Sequence, residues 1–361
     1  MVGRARTPDD VSANGYRIGV VGATGAVGST ILEVLVERDF PARELVLFAS
    51  ERSAGKHVEF DGQSLEIQPL SPESIQGLDI VLSSAGGSVS SEWAPRFAEA
   101  GAVVVDNTSY WRMHDDVPLV VAGVNDEAAD AHNGIVANPN CTTMQMVVAL
   151  KPIWDEIGIE RIVVSSYQSV SGTGRRAIEE LRAQSRAVLE GERVDPEVFP
   201  HQVAFNVIPQ VETFADGDDY TTEERKVMSE TRKILGADEE LGISSTCVRV
   251  PVVTGHSESV NVQTRDKLSP EGCRELLANF PGIVVMDAPH EGIYPLAIDA
   301  AGRDEVLVGR IRRDPSHERC LNMWVVGDNL RKGAATNAVQ VAELLHERGQ
   351  VRAAREPVRV G

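Results

Sequence analysis

The sequence predicts a doubly wound parallel α/β domain followed by an α+β domain with a mixed sheet. Three observations carry that expectation. A β-rich run, a glycine turn and an amphipathic stretch open the fold. Strand and helix patterns then alternate as far as residue 140. Beyond that point strands follow one another with few helices between them. At 361 residues the chain is long for one core and ordinary for two.

The first element is Tyr16 to Val21, an apolar run of the kind buried in parallel sheets. Gly22, Gly25 and Gly28 follow, with Thr24 where a second glycine of the usual G-x-G-x-x-G would stand. From Ser29 to Arg38 the residues Ile31, Leu32, Leu35 and Val36 recur at helical spacing. Strand, glycine turn and helix in that order make a Rossmann-type nucleotide cradle, in which backbone N–H groups at a helix start meet a pyrophosphate; a plain structural turn is the alternative.

The second strand, ELVLFAS, ends about 20 residues past the last glycine, where an acidic residue holds the ribose 2′-hydroxyl of NAD. Glu51 is there, but so are Ser50, Arg52, Ser53 and Lys56. Two cations and two hydroxyls suit a 2′-phosphate, so NADP(H) is the expected cofactor; a solvated polar loop is the alternative. Further along come a strand at Leu78 to Ser83, a small-residue loop at Ser84 to Ser88 and a helix. A strand at Ala102 to Asp106, apolar material at Val117 to Gly123 and a strand end at Ile135 to Ala137 continue the alternation.

Asn138-Pro139-Asn140 breaks that strand, and Thr142 to Trp154 reads as a helix with Asn140 as its N-cap. Cys141 therefore lies at a helix N-terminus, where the dipole and N–H groups favour a thiolate. A thiolate near the nicotinamide end of a dinucleotide cleft is the arrangement for aldehyde chemistry through a thioester. A buried structural cysteine is the alternative reading.

Composition excludes several classes. Apolar residues make up 42% and charged residues 25%, which is the balance of a folded globular chain. A net charge of −19 argues against nucleic acid and anionic membranes as partners. No apolar run approaches the ~18 residues of a membrane span. The opening MVGRARTPDDVSANGY lacks an apolar signal core, reads as a short flexible extension, and gives an expectation of cytoplasmic placement. The four cysteines, Cys141, Cys247, Cys273 and Cys320, are widely spaced, and the histidines lack paired spacing, so free thiols and no metal are expected.

Seven motifs in order, GATGAVG, SAGGSVS, DNTSYWRM, NPNCTT, SYQSVSGTG, RVPVVTGHSESV and DNLRKGAATNAVQ, resemble the aspartate-semialdehyde dehydrogenase family from about Tyr16 to Arg348. The resemblance implies that Cys141 is the nucleophile, His256 the acid/base, and Gln168 a residue holding substrate near the thiol. It implies that Arg249 grips the substrate α-carboxylate, that Glu223 and Lys226 contact its amino group and phosphate, that Arg112 is a second phosphate-binding cation, and that Asn140 belongs to the substrate site. Cofactor contacts are implied at Gly22, Thr24, Gly25, Ala26, Val27, Ser50, Arg52, Ser53, Ser84, Ala85, Gly86, Ser171, Gly172 and Asn329.

The implied reaction is the reversible NADPH-dependent conversion of aspartyl-β-phosphate to aspartate semialdehyde and phosphate. It serves lysine, diaminopimelate, threonine, methionine and isoleucine biosynthesis. Residues 1–140, completed by a helix at 333–350, would bind NADP; residues 141–332 would carry catalysis and a homodimer contact, with the active site in the cleft between the domains.

Bottom-up reading runs beside this. His256 follows an apolar strand, and a group of ordinary pKa near 6.5 can take a thiol proton and return one; a satisfied polar residue is the alternative. Arg249 in the apolar CVRVPVV needs an anion, whether a ligand carboxylate or an internal Asp or Glu. Glu223 and Lys226, three apart, share a helix face and would also suit a surface ion pair. Within residues 157–330, strands are expected in IERIVVSSYQSVSG, STCVRVPVVTG, HSESVNVQT, EVLVGRIRRD and CLNMWVVGDN, with helices at Gly174 to Leu189 and Thr222 to Leu235. A long last helix and a loose tail from Gln350 complete the chain.

The nearest rival is N-acetyl-glutamyl-phosphate reductase, against which the Glu223/Lys226 pair and SYQSVSG weigh. A phosphorylating glyceraldehyde dehydrogenase would also set Cys before Thr-Thr, but the rest of the chain does not fit it. A non-catalytic relative would be expected to lose Cys141 or His256.

Overall fold

The structure is a computed structural model that describes residues 15–351. The N-terminal extension and the tail beyond Val351 lie outside the described residues. Two compact units divide the chain: the described residues up to Pro139 together with those from Ala334 onward, and Asn140–Gly333.

The first unit is built on a seven-stranded sheet of order β3-β4-β2-β1-β5-β6-β7. These are β1 (Tyr16–Val21), β2 (Ala42–Phe48), β3 (His57–Phe60), β4 (Gln63–Gln68), β5 (Ile80–Ser83), β6 (Val103–Asp106) and β7 (Ile135–Ala137). All neighbours run parallel except β3, which pairs antiparallel with β4. The apolar runs are buried on both faces: Ile80, Val81, Leu82, Val104 and Val105 have no exposed surface. Chain order reverses direction across the sheet at β1, which pairs with β2 on one side and β5 on the other. That is the switch point where open parallel sheets take ligands at their carboxyl ends.

Helix α1 (Ala26–Glu37) buries Ile31, Leu32, Val34 and Leu35, as its spacing predicts, but starts three residues earlier than expected. The reason is the glycine turn. Gly22 has φ +83, and a Cβ on Gly28 would lie 2.2 Å from the Gly22 carbonyl oxygen, so only glycine lets the helix begin this close to β1. Helix α2 (Gly87–Glu99) follows β5 and carries Phe97 into the core. The last helix of this unit, α7 (Thr336–Glu347), packs against α1, β5 and β6. Asn337 on α7 is a hub: its Nδ2 donates to Val120 O and Asn138 Oδ1, and its Oδ1 accepts from Ala122 N.

Some expectations change here. The β3–β4 hairpin is an addition to the sequence reading; its alternating apolar residues Val58, Phe60, Leu65 and Ile67 pack on the core of the first unit, while the polar residues between them are exposed. Val117–Gly123 makes only one bridge, Leu119 with Ala137, and no full strand. The long last helix begins as a π-helical turn, Arg331–Ala335, before the α-helical part. Gln350 and Val351, read as loose tail, are held: Gln350 donates to Asp130, and Val351 is buried in the core of the first unit.

The second unit holds a mixed six-stranded sheet of order β11-β12-β13-β10-β8-β9. Its strands are β8 (Ile159–Gln168), β9 (Gly242–Arg249), β10 (His256–Thr264), β11 (Ile283–Val285), β12 (Val306–Arg313) and β13 (Cys320–Gly327). Helix α3 (Cys141–Glu156) covers one face, packing on β8, β10, β12 and β13. Period-two burial marks the two faces: Ile162, Val164, Val260 and Val262 are buried, while Val163, Ser165, Tyr167, Ser259, Asn261 and Trp324 remain half-exposed on the other.

Helix α4 (Arg175–Leu189) and helix α5 (Thr222–Leu235) match their predicted spans closely. A capping box, Thr221 with Glu224, starts α5, and a left-handed Gly236 ends it. Helix α6 (Pro270–Ala278) and β11 are additions to the sequence reading. Gly28→Ala is expected to cost about 1–3 kcal/mol through overpacking. Thermal unfolding should show a larger drop in midpoint for Gly28→Ala than for Gly25→Ala, whose Cβ would meet the nearest oxygen at 3.2 Å.

Candidate active site

Cys141 is the first residue of α3 and is half-buried, whereas Cys247, Cys273 and Cys320 are buried. Asn140 caps the helix as predicted: its Oδ1 accepts from Thr142 N at 2.9 Å and Thr143 N at 3.1 Å. The positive end of a 16-residue helix therefore stands beside the sulfur. Burial pushes the Cys247 and Cys273 thiols up to about 12, which leaves them inert.

His256 opens β10, has no exposed surface, and sets Nε2 3.3 Å from Cys141 Sγ. Its other nitrogen, Nδ1, accepts the Ser169 N–H at 3.0 Å and lies 3.0 Å from Ser169 Oγ. A main-chain N–H cannot turn round, so the neutral ring carries its proton on Nε2, toward the sulfur. Asn329 stands behind this arrangement. Its Oδ1 accepts from Ser169 Oγ, Ser171 Oγ and Gly255 N at 3.0 to 3.2 Å, and its Nδ2 donates to Ser171 Oγ at 2.9 Å. Burial first, and then the charge of Arg249, holds His256 well below the ordinary 6.5.

Arg249 ends β9 at 5% exposure. Its Nη1 donates to the Ser169 carbonyl at 2.5 Å, and its guanidinium lies 5.6 Å from the Phe199 ring centre. Among the described residues it has no carboxylate within ion-pair distance, which removes the internal partner the sequence left open. Burial lowers its pKa, with the Glu223 charge acting the other way. A buried guanidinium in this state calls for an anionic ligand. Gly172 keeps the approach clear: a Cβ there would lie 3.3 Å from His256 Nε2 and 3.6 Å from Arg249 Nη1.

Glu223 on α5 is buried, accepting from Asn140 Nδ2 at 2.9 Å and Gln168 Nε2 at 3.1 Å. Gln168 also donates to Ser166 Oγ. Lys226 Nζ lies 3.5 Å from Glu223 and bonds Glu212. So Glu223 is no surface pair; it joins the helix that carries Lys226 to the turn that carries Cys141. The second unit thus brings together Cys141, His256, Gln168, Arg249, Glu223, Lys226 and Asn140, along with Ser171, Gly172 and Asn329.

Sequence reasoning missed Ser169, Glu212 and Glu230. Glu230 is buried and accepts Asn140 N at 2.6 Å. Helical spacing from Glu223 through Lys226 to Glu230 (i, i+3, i+7) is the signal that would have found it. Ser169 adjoins Gln168 but acts through its main chain, which sequence does not flag.

The first unit carries the remaining predicted residues. Gly22, Thr24, Gly25, Ala26 and Val27 form the β1–α1 turn, and α1 starts without a side-chain cap. Ser84, Ala85 and Gly86 follow β5, and Ser84 Oγ donates to Val21 O at 3.1 Å beside Gly22. Gly86 begins α2, again with no side-chain cap. Ser50, Arg52 and Ser53 sit at the end of β2, with Ser50 and Arg52 exposed. Two uncapped helix starts at the carboxyl ends of β1 and β5, and a glycine pair no Cβ could enter, fit a dinucleotide phosphate. Arg112 is buried, its guanidinium donating to Asn138 O at 3.0 Å and Asn107 O at 2.8 Å. Among the described residues no three His, Cys, Asp or Glu side chains are grouped to hold a metal, and no helix is long and apolar enough to cross a membrane.

Comparison with known proteins follows this division. Residues 17–132 match the semialdehyde dehydrogenase NAD binding domain, and residues 150–332 match the semialdehyde dehydrogenase dimerisation domain. The aspartate-semialdehyde dehydrogenase of Aquifex aeolicus is 56% identical over 341 residues, covering 93% of this chain and 100% of that protein. The crystal structure of aspartate semialdehyde dehydrogenase II from Vibrio cholerae complexed with ASA superposes with TM-score 0.87 at 49% identity, covering 92% of this chain and 98% of that one. The Candida albicans enzyme with NADP gives TM-score 0.72 at 26% identity, covering 94% and 100%.

A neutral, buried His256 has a consequence for stability. The unfolded chain takes up a proton on this residue near 6.5, while the folded chain does not. The unfolded state then binds more protons, so this contribution is present above pH 6.5 and is lost as pH falls toward the folded value. Urea unfolding at about pH 8 and about pH 5.5 should show a smaller acid loss for His256→Asn than for the unsubstituted chain. Asn140→Ala should lose about 1–2 kcal/mol by the same measurement, because it removes the cap of α3.

Proposed function

The chain belongs to the aspartate-semialdehyde dehydrogenase family, and we propose that it reduces 4-phospho-L-aspartate to L-aspartate 4-semialdehyde, releasing phosphate, by way of a thioester on Cys141. The observation that carries this reading is the pairing of Cys141 Sγ with His256 Nε2 at 3.3 Å, at a helix start and next to a buried cation lacking a carboxylate partner.

Each residue then has a task. Arg249 binds the substrate α-carboxylate, the anion its burial calls for. Glu223 takes the amino group, and Gln168, tied to Glu223 and Ser166, keeps the acyl carbon over the sulfur. Lys226, and Arg112 of the other unit, are the cations assigned to the phosphate, in a chain of net charge −19. The Cys141 thiolate attacks the acyl phosphate, the C–S bond forms, and the C–O bond to phosphate breaks. The positive end of α3 and the His256 Nε2–H stabilise the oxyanion. A nicotinamide cofactor, when bound, supplies the hydride that reduces the thioester carbonyl. Collapse of the resulting adduct breaks the C–S bond and returns sulfur as thiolate to His256.

The cofactor is NADP(H): Arg52 and Lys56, with Ser50 and Ser53, suit a 2′-phosphate better than Glu51 alone suits a free ribose. Residues 1–140 with 333–350 bind it, and 141–332 carry the chemistry. The half-exposed sheet face, where the tilted rings of Tyr167 and Trp324 lie 5.3 Å apart, is covered by a second copy in a homodimer. The product enters lysine, diaminopimelate, threonine, methionine and isoleucine biosynthesis, and the enzyme works in the cytoplasm on small molecules.

The test mixes the protein with aspartate semialdehyde, phosphate and NADP and follows NADPH absorbance. A phosphate-dependent rise is expected, lowered by roughly a thousandfold or more in Cys141→Ser. Arg249→Leu should lower kcat/KM by roughly ten- to a hundredfold. Arg52→Ala should narrow the preference for NADP over NAD. Turnover of N-acetylglutamate semialdehyde in place of the aspartate compound would overturn the substrate assignment.

A further inference from the structure

Glu258 lies two residues along β10 from His256, and none of its surface is exposed. Across the sheet it stands opposite Ser166 on β8 and Val325 on β13, both fully buried. From α3, the group facing it is the Gln145 amide. None of these neighbours carries a charge, and the other titratable group of this part of the strand is His256 itself. Neither carboxyl oxygen of Glu258 has a hydrogen-bond partner, and neither has Gln145 Oε1. Gln145 Nε2, however, donates to the main-chain carbonyl of His256 at 3.2 Å.

These unsatisfied groups are complementary in one protonation state only. An ionised carboxylate accepts and cannot donate, so it would leave the amide oxygen unpaired and bury an uncompensated charge. A protonated carboxyl has the O–H that Gln145 Oε1 lacks. Burial pushes the Glu258 pKa well above the ordinary 4.5, in the same direction, with the nearby Gln145 side chain acting the other way but less strongly. The substrate side needs this too. A site that binds an anionic substrate and forms an oxyanion is opposed by negative charge packed beneath it.

We propose that Glu258 is held as a neutral carboxylic acid and is a positioning residue, donating to Gln145 Oε1 and so locking the amide that holds the His256 main chain against Cys141. Its kinetic consequence rests on Cys141 and His256 being the reacting pair; its ionisation state does not. Ser166, opposite Glu258, also accepts from Gln168, so the acid sits at the join between the residue that orients His256 and the one that orients substrate.

The test compares the full-length protein with Glu258→Gln, Glu258→Leu and Gln145→Leu. Infrared spectroscopy at neutral pH should show a protonated-carboxyl stretch that Glu258→Gln removes. Stability should carry a component that falls as pH rises from 4.5, because the unfolded chain releases this proton there and the folded chain keeps it. Glu258→Gln should lack that fall. Glu258→Gln should keep kcat within about threefold, since a neutral amide can donate in place of the acid, while Glu258→Leu and Gln145→Leu should each lower kcat about tenfold with little change in KM.

Combining the two leucine changes should cost little more than either alone. No protonated-carboxyl stretch, or a roughly hundredfold loss of kcat in Glu258→Gln, would overturn the proposal by showing that the ionised form is needed. If the protein turned over no aspartate compound at all, the proposed activity would fail while the infrared and stability readings still decided Glu258.

Discussion

Asn140 holds the site together with one side chain and one peptide group. Its Oδ1 takes two N–H groups of the first turn of α3, its Nδ2 reaches Glu223, and its own N–H reaches Glu230. The helix start is thereby fixed from the side of α5 as well as from within. Cys141, the next residue, inherits its position from these bonds. The 3.3 Å contact with His256 depends on a strand, β10, that arrives some 115 residues later in the chain. A thiolate is useful only if both supports hold at once, which is why buried acids on α5 are spent on a backbone N–H and an amide.

The charge arrangement follows from the same constraint. Arg249 and Glu223 are both buried; among the described residues Arg249 has no carboxylate within ion-pair distance, while Glu223 pairs with Lys226. Arg249 rests on a carbonyl and an aromatic face; Glu223 rests on two amides and a lysine at 3.5 Å. Such groups are expensive for folding, since burying an ionised side chain costs several kcal/mol unless it is paired and hydrogen-bonded. His256 is the counterpart among titratable groups. Kept neutral by burial and oriented by the Ser169 N–H, it offers a proton on Nε2 without adding a charge next to Arg249.

Helix starts recur at the functional positions of both units. In the first, α1 and α2 begin without side-chain caps, at glycines, and so leave their N-terminal amides to a phosphate. In the second, α3 begins with a full Asn cap and keeps its field for the sulfur. The difference is in what the first turn is for. An uncapped first turn leaves its N–H groups open to an anion, while the Asn140 cap satisfies two of those of α3 from within the chain.

The sequence by itself determined the elements that depend on neighbours in the chain. The apolar run of β1, the glycine turn, the Asn140 cap and the span of α5 are local events, set by sterics and by hydrogen bonds within a few residues. It also indicated most of the residues that the structure brings together around Cys141, because an arginine in an apolar strand and a cysteine after a capping asparagine are locally anomalous. The β3–β4 hairpin was not singled out, although Val58, Phe60, Leu65 and Ile67 alternate with polar residues, because each strand is short and its outward face polar. Ser169, Glu212, Glu230 and Glu258 were not singled out either. Their roles come from main-chain donors, from a loop that folds back on α5, and from a sheet register that sets Glu258 opposite Ser166 and Val325. Only the tertiary structure decides which buried acid meets a donor and which meets none, because that depends on packing between segments far apart in the chain, where no local pattern records the partner.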